Sequence, residues 1–108
     1  MLDVSDIQLA DISGDEFAQL MAVLGDPARI IILSHLAMHS KSGETVRAAD
    51  FRRPLGLSQP VVSHHVNRLK AVGLVNSEKC GRERYLTLNF EKLAAVREAL
   101  MAIKTGQN

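Results

Sequence analysis

The sequence contains few of the residues on which several classes of protein depend. Cys80 is the single cysteine among 108 residues, so a disulfide within the chain and a thiolate-rich metal cluster are both excluded. Aromatic residues make up only 4% and tryptophan is absent, which argues against a base-stacking platform for single-stranded nucleic acid. No apolar run approaches the ~20 residues that span a bilayer, and Asp3 and Asp6 stand where a signal peptide carries positive charge. We therefore expect a cytoplasmic protein that is neither exported nor embedded in a membrane.

Positive charge is also missing from the first 28 residues, which carry six carboxylates and no lysine or arginine. From Lys41 to Arg84 the balance reverses to nine basic and four acidic residues, although the whole chain has a net charge of only +1. The middle of the chain is therefore its basic part. The sequence has no glycine-rich phosphate loop, no paired carboxylates in a plausible cleft and no cysteine matched with a base, so we expect no enzymatic activity.

Residues 54–75, PLGLSQPVVSHHVNRLKAVGLV, have the pattern of a turn, a helix and the start of a strand. Gly56 supplies the left-handed position that ends one helix, Ser58 can cap the next, and Pro60 fits a first turn where no amide hydrogen is needed. This pattern predicts a helix-turn-helix whose second helix has a core face and a DNA-reading face. The two faces differ in polarity: Val62, Val66 and Leu69 lie on one, and Ser63, His64, Asn67 and Arg68 on the other.

Capping residues and apolar spacing predict the other elements. We expect a helix over 14–24 and a second helix capped by Asp26. The core residues of this second helix are expected to be Ile30, Ile31, Leu33, Leu36 and Ala37. A loop over 39–45, a short helix over 46–55, a hairpin from 74–79 and 83–89, and a last helix over 90–104 capped by Asn89 should follow. The predicted fold is mainly α with a small β-hairpin, a winged helix-turn-helix in the order α-α-α-α-β-β-α. It is expected to be dimeric, because little domain remains to cover the apolar face of the last helix. The domain is placed at 14–104, after a loosely ordered or short helical segment at 1–13 and before a tail at 105–108.

Three segments resemble the ArsR family of dimeric winged-helix repressors: LGDPARIIILSHL at 24–36, PLGLSQPVVSHHVNRLKAVGLV at 54–75 and GRERYLTLN at 81–89. The second segment is the specific one, because it matches the family's recognition motif nearly position for position. The resemblance implies a sequence-specific repressor and a homodimer in which the first and last helices pair. It also implies recognition helices in successive major grooves of an imperfect palindromic operator, with wings on the flanking minor groove or backbone.

The same resemblance assigns contacts with double-stranded DNA to particular residues. Gln59 lies near the helix N-terminus, where its amide suits the paired donor and acceptor of adenine. Pro60 and Val61 are placed to touch a thymine methyl. Contacts with bases or nearby phosphates fall on Ser58, Gln59, Ser63, His64 and Asn67, and phosphate contacts on Arg68, Lys79, Arg82 and Arg84.

The chain departs from the family at both of its common metal sites. Arg47 and Ala49 occupy the positions of the family's Cys-x-Cys pair, and Asp50-Phe51 replaces the following Asp-Leu. The second site uses Asp and His from the last helix, yet residues 90–104 contain neither. An arginine in a ligand position repels a cation. We therefore expect DNA binding without either metal switch, and no metal or cofactor.

Two other functions stay open. A metal or metalloid sensor would need an unorthodox site, formed by His35 and His39 or by carboxylates near the N-terminus. A winged-helix module that binds protein instead of DNA would keep the fold.

Cys80 is either a redox-responsive thiol or a merely exposed one without a resolving partner. His64 and His65 diverge by ~100° on a helix, so one is expected on the DNA face and the other beside the core.

Overall fold

The computed structural model describes residues 3–42 and 45–105 and has the winged helix-turn-helix fold. Two short strands, β1 (Gln8–Leu9) and β2 (Ile12–Ser13), precede helices α1 (Gly14–Leu24) and α2 (Pro27–Ser42). Strand β3 (Val46–Arg47) and a 3-10 helix (Ala48–Phe51) lead into the short helix α3 (Arg52–Leu55) and the longer α4 (Gln59–Ala71). The described chain ends with strands β4 (Val75–Cys80) and β5 (Glu83–Leu88) and helix α5 (Phe90–Thr105).

Short polar side chains begin three of the helices. Ser13, Asp26 and Asn89 each accept a hydrogen bond from a backbone N–H in the first turn of α1, α2 and α5, at 3.2, 2.8 and 3.1 Å. These bonds satisfy N–H groups that have no partner within the helix. The Asn89 side-chain amide also donates to the Gly73 carbonyl at 2.9 Å, which ties the start of α5 to the chain leaving α4. The predicted caps Asp26 and Asn89 are confirmed.

The turn between α3 and α4 is the predicted one. Gly56 has a φ of +64°, the left-handed conformation that closes a helix and costs glycine least. Ser58 occupies the N-cap position of α4, but its hydroxyl makes no capping hydrogen bond. Helix α4 packs its apolar face into one core with the remaining elements, whereas α3 contributes only the partly buried Leu55. The largest side chains that are almost fully buried there are Phe51, Ile12, Leu20, Ile32, Leu36, Leu69, Leu74 and Val62.

The hairpin β4–β5 is the wing, and a third strand extends its sheet. Strands β4 and β5 are antiparallel with Val75 opposite Leu88 and Cys80 opposite Glu83. Gly81, with a φ of +63°, supplies the left-handed position in the turn. Strand β3 adds to the other edge of β5, with Val46 opposite Leu86, so the strand order is β3-β5-β4. This third strand fixes the wing beside the residues that precede the helix-turn-helix.

The N-terminal segment was predicted wrongly as loosely ordered or helical. Residues Gln8–Leu9 and Ile12–Ser13 form an antiparallel hairpin, and Leu9 and Ile12 are only 4% and 2% exposed. The alternation of buried Leu9 and Ile12 with exposed neighbours is too short to be read as a strand from sequence. Its stability comes from contacts with α1 and α5. Residues 1–2 and 106–108 of the predicted terminal segments lie outside the described residues.

Three other expectations are corrected at α2 and after it. Helix α2 extends to Ser42, through the first part of the predicted loop, and residues 43–44 of that loop lie outside the described residues. Ile32 and Leu36 are almost fully buried and the predicted Leu33 and Ala37 pack against the core, whereas Ile30 and Ile31 are 46% and 47% exposed. The predicted helix over 46–55 is a strand, a 3-10 helix and one turn of α-helix.

None of the helices within the described residues is long and apolar enough to cross a membrane by itself. Among residues 3–42 and 45–105, one pair of consecutive helices, Gly14–Leu24 and Pro27–Ser40, reaches that length and composition together, and it is bent by 94° at the break.

We expect Gly14→Ala to destabilise the domain by about 1–3 kcal/mol, the usual cost of overpacking. A methyl group at this position would lie 2.1 Å from the Val4 carbonyl oxygen and 3.0 Å from Ile7 Cβ, so the N-terminal segment would have to move. Gly25→Ala is the matched control, because its nearest atoms lie at 3.5 and 3.6 Å. Urea denaturation of the two variants measures the difference, and equal midpoints would show that the N-terminal segment adds no stability.

Candidate nucleic-acid interface

Helix α4 has one buried and one exposed face. Val62, Val66 and Leu69 are at most 3% exposed and join the core. His65 is also buried, whereas His64 is exposed, so the expected divergence of the two histidines is confirmed. The outer face presents Gln59 and Ser63, which are half-buried, and the exposed side chains of Pro60, Val61, His64, Asn67 and Arg68.

Gln59 is the first residue of the exposed face, and its side-chain oxygen Oε1 has no hydrogen-bond partner among the described residues. Its Nε2 donates to Ser63 Oγ at 3.3 Å, one helical turn further on. Its Oε1 is shielded from solvent and makes no hydrogen bond among the described residues. A shielded carbonyl oxygen without a donor loses hydration and gains nothing in return, so an incoming donor would be favoured there.

The wing carries three cations close together. Lys79 in β4 lies directly opposite Arg84 in β5, and Arg82 lies in the turn between the strands. Arg84 Nη1 donates to Ser77 Oγ at 3.2 Å, which holds its guanidinium along the hairpin. Like charges directly opposite each other weaken a strand pair. Within the part of the chain that the structure describes, none of the three forms an ion pair with a carboxylate.

A cleft of about 570 Å³ separates the exposed face of α4 from the wing, and we call it the reading cleft. It brings together six residues that the sequence assigned to DNA: Gln59, Ser63 and Asn67 on one wall, and Lys79, Arg82 and Arg84 on the other. Ser58 lines an adjoining cleft with Gln59. The other assigned residues are exposed on α4 but line neither cleft: Pro60, Val61, His64 and Arg68.

Arg52 and Arg53 also belong to this surface, although no DNA role was predicted for them. Both are exposed on the short helix α3. Arg52 lines the reading cleft and the adjoining one, and Arg53 lines the adjoining one. The signal in the sequence was the excess of basic residues between 41 and 84, but only the fold places these two beside Gln59.

Arg47 connects the residues before α3 to the wing. Its Nε and Nη2 donate to Asp50 Oδ1 at 3.2 and 3.0 Å, its backbone N donates to Asp50 Oδ2 at 3.1 Å, and its Nη1 lies 3.9 Å from Glu83 Oε1 in β5. Burial acts to raise the pKa of Asp50, but the hydrogen bonds and charge of Arg47 outweigh it and hold that pKa below its usual value. The family's thiolate position is therefore occupied by a guanidinium that is already paired.

His35 and His39, which were suggested for an unorthodox metal site, have no third candidate ligand beside them among the described residues. The rings of His35 and His39 stack at 4.1 Å between centroids, and the His35 ring meets Phe51 edge-on at 5.1 Å. No group of three His, Cys, Asp or Glu residues that could hold a metal ion occurs among residues 3–42 and 45–105. The residues in place of the family's metal ligands, Arg47 and Ala49, do not fit a metal ion either.

These features define a winged helix-turn-helix protein, and comparison with known proteins gives its family. A family model described as a helix-turn-helix domain matches residues 24–78. The arsenical resistance operon repressor of Staphylococcus xylosus is 34% identical over 91 residues, which cover 84% of this chain and 83% of that protein. This chain belongs to the ArsR family of helix-turn-helix transcriptional regulators, whose members bind DNA.

Solved structures agree with this assignment. An ArsR-like transcriptional regulator from Rhodococcus sp. RHA1 superposes with a TM-score of 0.70 at 29% identity, over 85% of this chain and 82% of that one. Another ArsR family transcriptional regulator gives a TM-score of 0.72 at 22% identity, over 84% of this chain and 89% of that one, which supports the fold.

Proposed function

We propose that this chain is a homodimeric repressor that binds an imperfect palindromic operator in the cytoplasm and has no enzymatic activity. Helix α4 of each subunit enters a major groove, and each wing meets the flanking backbone or minor groove. The observation that carries the proposal is the reading cleft, because its polar wall on α4 faces three cations on the wing that form no ion pair with any described residue. Repression is supported by the name of the Staphylococcus xylosus relative.

The charges of the wing suit contact with phosphates. Lys79 and Arg84 repel each other across the hairpin in the free protein, and a phosphate between or beside them would remove that repulsion. Arg82 at the turn extends the same surface, and Arg52 and Arg53 continue it beyond α4. Contacts of this kind position a protein on DNA without reading its sequence.

Sequence reading is assigned to the exposed face of α4. Adenine presents a donor and an acceptor in the major groove, and Gln59 can offer its Oε1 and Nε2 to them once its side chain rotates away from Ser63 and exposes the shielded Oε1. Ser58, Ser63, His64 and Asn67 are polar neighbours for further base or phosphate contacts, and Arg68 is placed for the backbone. Pro60 and Val61 are exposed near the helix start, where a thymine methyl would meet them.

Dimerisation is assigned to α5 and α1. On α5, Phe90, Leu93 and Leu100 are 52%, 37% and 47% exposed, and they line one groove with Leu24 at the end of α1. Exposed apolar side chains grouped in this way mark interaction surfaces. A second copy of the chain would cover this groove, which we call the α5 seam.

Gln59→Ala is expected to relax base preference, whereas Arg82→Ala is expected to weaken binding to all duplexes alike. A paired amide contact with adenine discriminates by about 1–3 kcal/mol, while loss of one phosphate contact lowers the salt slope by about one. A duplex selected by the wild-type protein from a library with a randomised centre supplies the specific probe, and a scrambled duplex supplies the other. Fluorescence anisotropy across a salt series gives both affinities.

Lys70→Ala is the control for charge, because Lys70 lies on the same helix but lines a different groove with Glu16 and Lys92. It should leave both affinities nearly unchanged. Equal losses on both duplexes after Gln59→Ala would contradict the reading role of Gln59. Absence of binding to any duplex at low salt, where a non-specific Kd of about 10⁻⁴–10⁻⁶ M is expected, would favour a protein-binding module instead.

A further inference from the structure

Arg29 and His65 are the two polar or charged side chains that are buried among the described residues, at 8% and 9% exposure. They are 36 residues apart and hydrogen-bonded to each other, with Arg29 Nε donating to His65 Nδ1 at 3.3 Å. Arg29 Nη1 also donates to the Val23 carbonyl at 2.9 Å. The pair lies behind the reading face of α4 and takes no part in the contacts proposed above.

These two hydrogen bonds join three helices at one point. Val23 is in the last turn of α1, Arg29 is in the first turn of α2, and His65 is at the middle of α4. Leu24, the next residue after Val23, lines the α5 seam. On the other side, the His65 ring meets the ring of exposed His64 edge-on at 5.6 Å between centroids. One guanidinium therefore connects the proposed dimer seam with the recognition helix.

A stabilising role does not account for this arrangement. Arg29 has no carboxylate partner within the residues that the structure describes, and a buried charge is costly to desolvate. Replacement of buried ionic groups by apolar side chains of similar volume is often neutral or stabilising, although here it also removes the donor to the Val23 carbonyl. Hydrogen bonds differ from apolar packing because they are directional, so they fix the position of α4 relative to α1.

We propose that Arg29 and His65 are positioning residues that set the orientation of the recognition helix relative to the α5 seam. The proposal rests on the dimeric DNA binding proposed above. Recognition helices of a dimer must meet half-sites about 34–36 Å apart. Because α1 and α5 form the seam and Arg29 ties α1 to α4, this pair determines which half-site spacing the dimer accepts.

The first test needs no DNA. The hydrogen bond requires a neutral His65 ring with the hydrogen on Nε2, because Nδ1 is the acceptor. Two-bond ¹⁵N–¹H NMR spectra of the histidine-labelled full chain should therefore show the Nε2–H form at His65. A ring with hydrogen on Nδ1 would overturn the proposal, whatever the protein binds.

The second test compares three substitutions. His65→Leu removes the acceptor and leaves Arg29 Nε unpaired. His65→Asn keeps an acceptor, because Asn Oδ1 can take the place of Nδ1. Arg29→Met combined with His65→Leu removes both polar groups and leaves an apolar pair. Each variant is first examined by urea denaturation and then assayed at a temperature where it is folded.

Three kinds of duplex are the probes. They are the selected duplex, the same duplex with its half-sites moved apart or together by single base pairs, and the scrambled duplex. Wild type should prefer one spacing. The double variant should regain part of the stability lost in His65→Leu, since it no longer buries an unpaired Arg29 Nε, although it also lacks the hydrogen bond to the Val23 carbonyl. Its preference for the selected spacing over the altered ones should fall at least about tenfold, with scrambled-duplex affinity unchanged. His65→Asn should retain the preference.

A double variant with wild-type spacing preference would overturn the positioning role and leave DNA binding intact. A double variant that regained none of the stability lost in His65→Leu would also overturn it, because its loss of preference would then follow from a merely structural role of the pair. If the wild-type protein bound no duplex, the proposed function itself would fail, and this outcome is distinct from the other two.

Discussion

Phe51→Ala is expected to lower the free energy of unfolding by about 3–5 kcal/mol, the cost of removing a buried aromatic ring and leaving a cavity. Phe51 is the largest of the almost fully buried side chains, at 1% exposure, and its ring contacts His35 edge-on. Small domains have a total stability of about 5–15 kcal/mol, so this one substitution would remove a large share. Urea denaturation followed by circular dichroism measures the loss.

Phe51→Leu is the conservative partner of this variant and is expected to cost less than half as much, because it keeps most of the apolar volume. Met38→Ala is the surface control. Met38 is 68% exposed, and surface changes usually stay within about 0.5 kcal/mol. Should Phe51→Ala and Met38→Ala unfold at the same urea concentration, the 3-10 helix that carries Phe51 would not be part of the core.

The helix-turn-helix could be predicted from the sequence because its signals are local. Gly56 must adopt a left-handed conformation, Pro60 fits only the first turn, and the apolar residues of α4 repeat with the helical period. The family resemblance fell on the same residues. Six of the residues then assigned to DNA lie around the reading cleft, and their individual contacts remain predictions.

The elements that escaped prediction are stabilised by distant contacts. Strand β3 has two residues, Val46 and Arg47, and exists because β5 offers an unpaired edge about forty residues later. The N-terminal hairpin likewise depends on α1 and α5. No periodicity can be detected in two residues, so neither element could be recognised before the chain was folded.

Helix α2 shows a different limit of prediction from sequence, which concerns the face that a helix turns toward the core. Ile30, Ile31 and Ile32 are consecutive, and apolar residues on all sides of a helix do not indicate which of them face the core. The fold buries Ile32 completely and leaves the other two almost half exposed. Arg29 was similarly ambiguous, because arginine is seldom buried, and its partner His65 is far away in sequence.

Leu100→Lys is expected to convert the proposed dimer to single chains of 11.8 kDa and to reduce affinity for the selected duplex by at least about a hundredfold. Leu100 is 47% exposed and lines the α5 seam beside Arg97, so the substitution should leave the fold of one chain intact. In the proposed dimer it buries an ammonium group in an apolar groove close to another cation, which is strongly unfavourable. A single chain binds one half-site and loses the roughly 10²–10⁴-fold gain of two linked contacts.

Met38→Lys is the matched control, because it adds the same charge to an exposed apolar position on α2 that lies outside the α5 seam. An added positive charge by itself strengthens attraction to DNA, so a loss in Leu100→Lys alone must come from the seam. Sedimentation gives the mass and anisotropy gives the affinity of each variant. If Leu100→Lys dimerised as strongly as the wild type, the subunit contact would have to lie elsewhere. If it no longer dimerised but kept its affinity for the selected duplex, one chain would suffice for recognition.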